Sequence, residues 1–247
     1  MTRLVRAELL KLRTTRTTAG VLALTVATTA LIMTAVMLIA GRPGQPAVEA
    51  GILPDLVVVA KGPLVIFALI LGVLGMSGEF RHGTATPTFL VTPQRGRVVA
   101  AKVVAYALAG AALAAVSAVV ALGMGLPWLQ AKGVDITIVD ADVASRLLGL
   151  AATSALHAVL GVGLAALLRN QVVAMVAGLL WMRVEGLIPD VLQRPGLGRW
   201  LPEGAASALT GPSAATLPMW AGGLLFAAYG LALALIGTRL VVRRDLT

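Results

Sequence analysis

Cysteine is absent from the 247 residues, and histidine occurs only at His82 and His157. The first absence excludes disulfides, thiolate metal sites, a cysteine nucleophile and iron–sulfur ligation. The second leaves too few imidazoles for a multi-histidine metal centre. Lysine is scarce too, at Lys11, Lys61, Lys102 and Lys132, and none of them follows a glycine. A Gly-Lys-Ser/Thr phosphate loop is therefore missing, and any nucleotide energy has to come from another subunit. Aromatics are 4% and charged residues 13%, against about 25% charged in a soluble domain. What is present is aliphatic: 58% of residues are hydrophobic, and the mean hydropathy is +0.92. No soluble fold covers that much apolar surface, so the expected class is an all-α, polytopic integral membrane protein.

A spanning helix needs about 20 apolar residues. Six candidates follow, over about 19–40, 56–77, 103–126, 147–168, 172–188 and 219–240. The start of the second is ill-defined, because Lys61 and Pro63 lie in its outer part. Six spans put both termini on one side, and the formal net charge of +9 says which. Thirteen of the 20 basic residues fall in the 1–18 arm, the 78–102 segment, the turn at Arg169 and the tail from Arg239. Only three of the 11 acids, Glu8, Glu79 and Asp245, share that side. The split is thus +10 against −1, and Lys and Arg collect in cytoplasmic loops. Both termini are expected in the cytoplasm, the protein in the plasma membrane, and nucleic acid is not an expected partner.

The first apolar run, Ala19 to Ala40, is 22 residues, longer than the ~7–15 of a cleaved signal. It reads as an uncleaved anchor. Ahead of it, Val5, Leu9 and Leu12 recur at i, i+4 and i+7, interrupted by Glu8. A loosely amphipathic helix lying on the inner leaflet is the expectation, with a solvated arm as the alternative. In the third span Ala107, Ala111 and Ala115 recur every fourth residue, which permits close helix packing in lipid.

The segment Gly78 to Lys102 is the most informative. It is too polar for lipid and too long for a minimal turn, and Pro87 and Pro93 flank an apolar patch at Thr88-Phe89-Leu90-Val91. A short apolar-faced helix at the membrane surface suits docking of a soluble partner; a solvated basic loop is the alternative. Glu79-Phe80-Arg81-His82-Gly83-Thr84, then Thr88-Phe89-Leu90, then Thr92-Pro93-Gln94-Arg95 and Lys102 resemble the loop between helices two and three of ABC-2 type transporter permeases. These are the membrane subunits of ATP-binding-cassette exporters. The arm with Glu8 and Lys11-Leu12-Arg13-Thr14, the outer stretch Arg199-Trp200-Leu201-Pro202 with 205–209, and the tail Arg243-Arg244-Asp245 resemble elements of actinobacterial members.

The resemblance implies the ABC-2 exporter fold over one domain, with 1–18 as a connecting helix, 78–102 as the coupling loop and 189–217 as an external segment. It implies two ATPase subunits beneath a pair of permeases, homodimeric or heterodimeric. ATP and magnesium would belong to the ATPase, with no cofactor in this chain. It also implies coupling roles for Glu79, Arg81, His82, Gly83, Thr84, Pro93 and Arg95; for Arg81 and Arg95 the alternative is anchoring to lipid phosphate. The chain itself would not be an enzyme.

Polar residues inside spans are expensive and point to function. His157 lies near the middle of the fourth span, with Thr153 and Ser154 one turn back. It is either a packing histidine or a substrate or proton contact. Arg183 and Glu185 are two residues apart, so they face different ways; they are gate or substrate candidates, with structural anchoring the simpler role. Asp135, Asp140 and Asp142 lack calcium-loop spacing. Gly75-Met76-Ser77-Gly78 matches the GxSG of six-span rhomboid proteases. Ser77, however, ends its span, and His157 lies ~15 Å deeper by helix rise, beyond the reach a serine nucleophile needs. The expected function is therefore ATP-driven export of a hydrophobic drug, peptide or lipid. The alternatives are an ATPase-independent transporter or immunity factor and, least, a rhomboid-like protease.

Overall fold

The computed structural model describes residues 1–42, 53–59, 61–81, 95–134, 141–211 and 216–243. These are helical, without a strand among them, and six helices are long and apolar enough to cross a membrane. That fits a multi-pass membrane protein. The α-helices are α1 (Thr2–Thr14), α2 (Arg16–Ile39), α3 (Leu53–Val59), α4 (Lys61–Arg81), α5 (Arg95–Ala131), α6 (Ala141–Leu168), α7 (Gln171–Val184), α8 (Ile188–Val191), α9 (Pro202–Thr210) and α10 (Met219–Arg243). Two 3-10 turns, Glu185–Leu187 and Pro195–Trp200, join α7, α8 and α9.

Local chemistry sets the boundaries. Thr15 is extended (φ −90, ψ 127) and divides the arm from the first span. The second span starts at Lys61 rather than near residue 56, because residues 53–59 form a helix of their own. Pro63 falls in the first turn of α4, where a missing N–H costs little. α5 is 37 residues, ~55 Å long at 1.5 Å per residue. It begins at Arg95, so the last part of the expected 78–102 loop is helix, with Val98, Val99 and Ala101 buried. α6 and α7 meet in a tight turn at Arg169 (φ 52). The Asn170 side chain caps α7 by accepting from Val173 N at 3.1 Å. α7 is only 14 residues, and the chain reaches Val191 through the 3-10 turn and α8.

α6 is the central and most buried span, packed by α4, α5 and α10. Close approach of backbones makes this possible. A Cβ on Gly72 would lie 2.0 Å from Ala158 O, and one on Gly110 would lie 2.6 Å from Ser154 O. Ser154 donates its hydroxyl to Gly110 O at 2.7 Å. Small residues at crossings are how helices associate in lipid, where burial of apolar surface gives little. The packed face of α5 is Gly110, Ala114, Ser117, Ala118 and Ala121. The expected Ala107/Ala111/Ala115 stripe is displaced from it, and Ala115 is exposed. In so alanine-rich a helix, spacing alone does not select the face. The outer helices expose Leu31 and Leu38 (α2), Val172 and Leu180 (α7), and Leu224 and Leu235 (α10), as lipid-facing surfaces do.

The arm differs from the expectation of a helix resting on a leaflet. Leu12 is buried, and Val5 and Leu9 pack on the main core. The stripe covers the bundle, and Glu8, which interrupts it in sequence, is buried within that face.

Candidate functional site

Two polar clusters lie inside the bundle, one at each end. At the end where α1 meets the start of α5, Lys102 donates to Glu8 Oε2 at 2.7 Å and to Gly75 O at 3.2 Å. Lys11 donates to Glu8 Oε1 at 2.7 Å. Lys102 is 1% exposed, so the pair is desolvated, and such a pair holds only when its hydrogen bonds are complete. Burial pushes the Glu8 carboxyl up, but Lys102 and Lys11 outweigh it and hold the group below the usual carboxylate range. The cluster joins the arm, α4 and α5.

The opposite end is built around α9. This helix starts with Pro202 at its first position. Its N-cap, Leu201, has no side-chain acceptor, and Glu185 supplies one from the 3-10 turn after α7. Glu185 Oε1 accepts from Glu203 N at 2.6 Å, so a carboxylate sits at the positive end of the helix. Ala205, Ala206 and Ala208 are buried, and small side chains bring α9 against α6 and α10. Thr153 donates to Ala206 O at 3.4 Å, and the Arg146 guanidinium donates to Thr210 O. Within the stretch expected as an external segment, α9 thus lies along the first part of α6, from Arg146 to His157.

This packing brings Glu203 to His157. His157 Nδ1 lies 2.8 Å from Thr153 O, which can only accept, so Nδ1 carries a proton. Nε2 lies 3.3 Å from Glu203 Oε2. A carboxylate and a bare acceptor nitrogen do not bond, so a hydrogen bond at this contact requires a proton between Nε2 and Oε2. Phe226 packs edge-on against the imidazole, centroids 4.7 Å apart. Lys61 reaches Glu203 Oε1 at 3.5 Å and donates to Ser207 Oγ at 3.2 Å. Burial raises the Glu203 carboxyl, but the bonds to His157 and Lys61 prevail and hold it low.

Glu203 is also accessible. Its side chain is 31% exposed and lines a cleft of about 690 Å³ between α4 and α7, with Val65, Ile66, Leu179, Leu180 and Arg183. An apolar cleft with a few convergent polar groups is the usual form of a ligand site. Arg183 is exposed on the cleft wall while Glu185 is buried behind it; the two do not pair. Glu185 Oε2 has no hydrogen-bond partner among the described residues.

Of the sequence-based candidates, His157, Arg183 and Glu185 therefore gather at one end around α9. His82, Gly83, Thr84 and Pro93 lie outside the described residues, as do the side chains of Glu79, Arg81 and Arg95. Ser77 donates to Val73 O at 2.7 Å and makes no bond to His157. Sequence reasoning did not single out Glu203 or Lys61; it named Lys102 and Glu8 for their place in the resembling motifs, and Glu8 also as an interruption of the apolar stripe, but did not pair them. A signal existed for Glu203: it is the one acid in a nine-residue helix of otherwise small or apolar residues after a proline. No family model, curated protein or solved structure matches the chain.

Proposed function

We propose that this chain is the membrane subunit of an ABC-2 type exporter, with both termini cytoplasmic in the plasma membrane. It pairs with a second permease, and two ATPase subunits dock under the 78–102 segment. The observation that carries the reading is the Glu8–Lys102–Gly75 tie. It fastens the arm to α4 and α5, the two helices that flank residues 82–94. A push on that segment by a nucleotide-driven partner is delivered to the spans through a desolvated ion pair rather than lost in a loose loop. The absence of a phosphate loop agrees with this division of labour. An equilibrium between access states shifts only through differential contacts, and these belong to the docking segment. The cleft at the other end, apolar with Glu203 and Arg183 at its edge, suits an amphipathic, mainly hydrophobic cargo.

The test is recovery of the full chain from its native membranes in mild detergent, followed by identification of what accompanies it. An ATPase is expected with the wild type and lost with Glu79→Arg or deletion of 83–92. Unchanged assembly after both changes sinks the reading. A second reading, an ATPase-independent transporter, draws on the proton shared by His157 and Glu203, because intramembrane His–carboxylate contacts serve proton relays. It requires uptake or efflux that follows a proton gradient without ATP.

A further inference from the structure

The bundle has a second cleft, of about 720 Å³, at the arm end. Its floor is Leu9, Leu12, Leu71, Leu113 and Val116, from α1, α4 and α5, and Leu22 of α2 forms one wall. Arg6 and Arg13 stand over it. On α1, Arg6, Leu10 and Arg13 recur at i, i+4 and i+7 and so share one face. Leu10 between them is 62% exposed. Neither arginine has an acidic partner among the described residues, and no acid lines the cleft. Glu8 faces the other way, onto Lys102. The opening is thus an apolar slot bounded by two spans, with two cations and a bare leucine at its rim.

We propose that this cleft binds an anionic phospholipid, with one acyl chain along Leu22, Leu71, Leu108 and Leu113 and the phosphate between Arg6 and Arg13. The occupant follows from charge and setting. α2 and α5 are candidate spans, so the slot opens onto lipid tails, and its rim falls where headgroups lie. Guanidinium groups match phosphate geometry, and basic residues beside a span attract anionic headgroups. A second copy of the chain fits less well, because a twofold interface on this face would set arginines against arginines. The reading is independent of the proposed export function. It adds a ligand to the arm, whose position the Glu8–Lys102 tie transmits to α5.

The experiment is native mass spectrometry of the full-length detergent-purified protein, offered equal parts of phosphatidylglycerol and phosphatidylcholine. Preferential retention of phosphatidylglycerol is expected. The preference should fall about 30-fold in Arg6→Ala/Arg13→Ala, the weight of two interfacial arginines, and persist in Arg6→Lys/Arg13→Lys. Ala112→Trp fills the slot with both arginines intact and should abolish retention of either lipid. That variant decides the matter should the double alanine change unfold the arm; Arg194→Ala, at the other end, should change nothing. Equal retention of the two lipids overturns the proposal, as does indifference to Ala112→Trp. So does displacement by inorganic phosphate, which would mark a free-anion site, or a dimer that yields the slot only on dissociation.

Discussion

Both ends of the bundle hold a carboxylate between bases, and the contrast between them separates a fastening from a working site. Around Glu8 both ion-pair distances are 2.7 Å, and Lys102 is 1% exposed. Around Glu203 the contacts to His157 and Lys61 are 3.3 and 3.5 Å, and the acid is 31% exposed on a cleft. Nearby, Glu185 has an oxygen without a partner among the described residues. The same charges thus close one end and leave the other able to exchange partners. Composition does not distinguish the two; distance, burial and unfilled valences do.

The comparison breaks most visibly at Lys102. Lys102→Met leaves the buried Glu8 carboxylate with Lys11 as its one ion-pair partner among the described residues and should cost about 3 kcal/mol, read as thermal unfolding in detergent. Adding Glu8→Leu should recover most of the loss, since two apolar groups leave nothing unpaired. Acid should act on both ends. Glu8 and Glu203 titrate below their unfolded values, so their stabilisation is present above the unfolded pKa and lost as pH falls through the folded one. Stability should be level above about pH 5 and fall below about pH 4, with a shallower fall in Glu8→Gln.

Gly149→Ala should cost about 1–3 kcal/mol. Its Cβ would lie 1.8 Å from Leu209 O, so α9 must move off α6, and the proposed export should fail with it. Glu203→Gln should cost about 1 kcal/mol or less, since the pair is partly exposed, yet lower the proposed ATP-driven export tenfold or more. A large stability loss with normal export would reverse the assignment of the two clusters. The smallest effect calibrates the others. Thr29→Val removes the buried 3.0 Å bond to Ser117 Oγ, and about 0.6 kcal/mol is expected for such a bond between spans.

Hydropathy made the spans legible because each needs only length and an absence of charge, properties local to the chain. The boundaries were less so. The split at Thr15 and the extension of α5 back to Arg95 depend on what packs there. His157 was legible as an intramembrane polar group, but its partner is 46 residues away in sequence. The 189–217 stretch read as external because it follows the fifth span and resembles external elements; only the alanines at 205, 206 and 208 hint that part of it lies against other backbones. Glu8 looked like a break in a stripe because the base that is buried with it, Lys102, is 94 residues distant; Lys11 at i+3 is half exposed and gives no hint of burial. Long-range ion pairs leave no periodic trace. The phase of the α5 alanines was ambiguous for a simpler reason: nearly every position there is small.

The proposed orientation turns the accessible Glu203 cluster to the outside and leaves the Glu8 cluster sealed at the other end. The native chain has no cysteine, so single cysteines report without background. Intact cells carrying Glu203→Cys, or Lys102→Cys together with Glu8→Leu, are exposed to a membrane-impermeant maleimide, and the rate of labelling is measured. Rapid labelling of the Glu203→Cys chain and none of the Lys102→Cys chain is the predicted result. Equal rates, or labelling of Glu203→Cys only after the cells are opened, would contradict it.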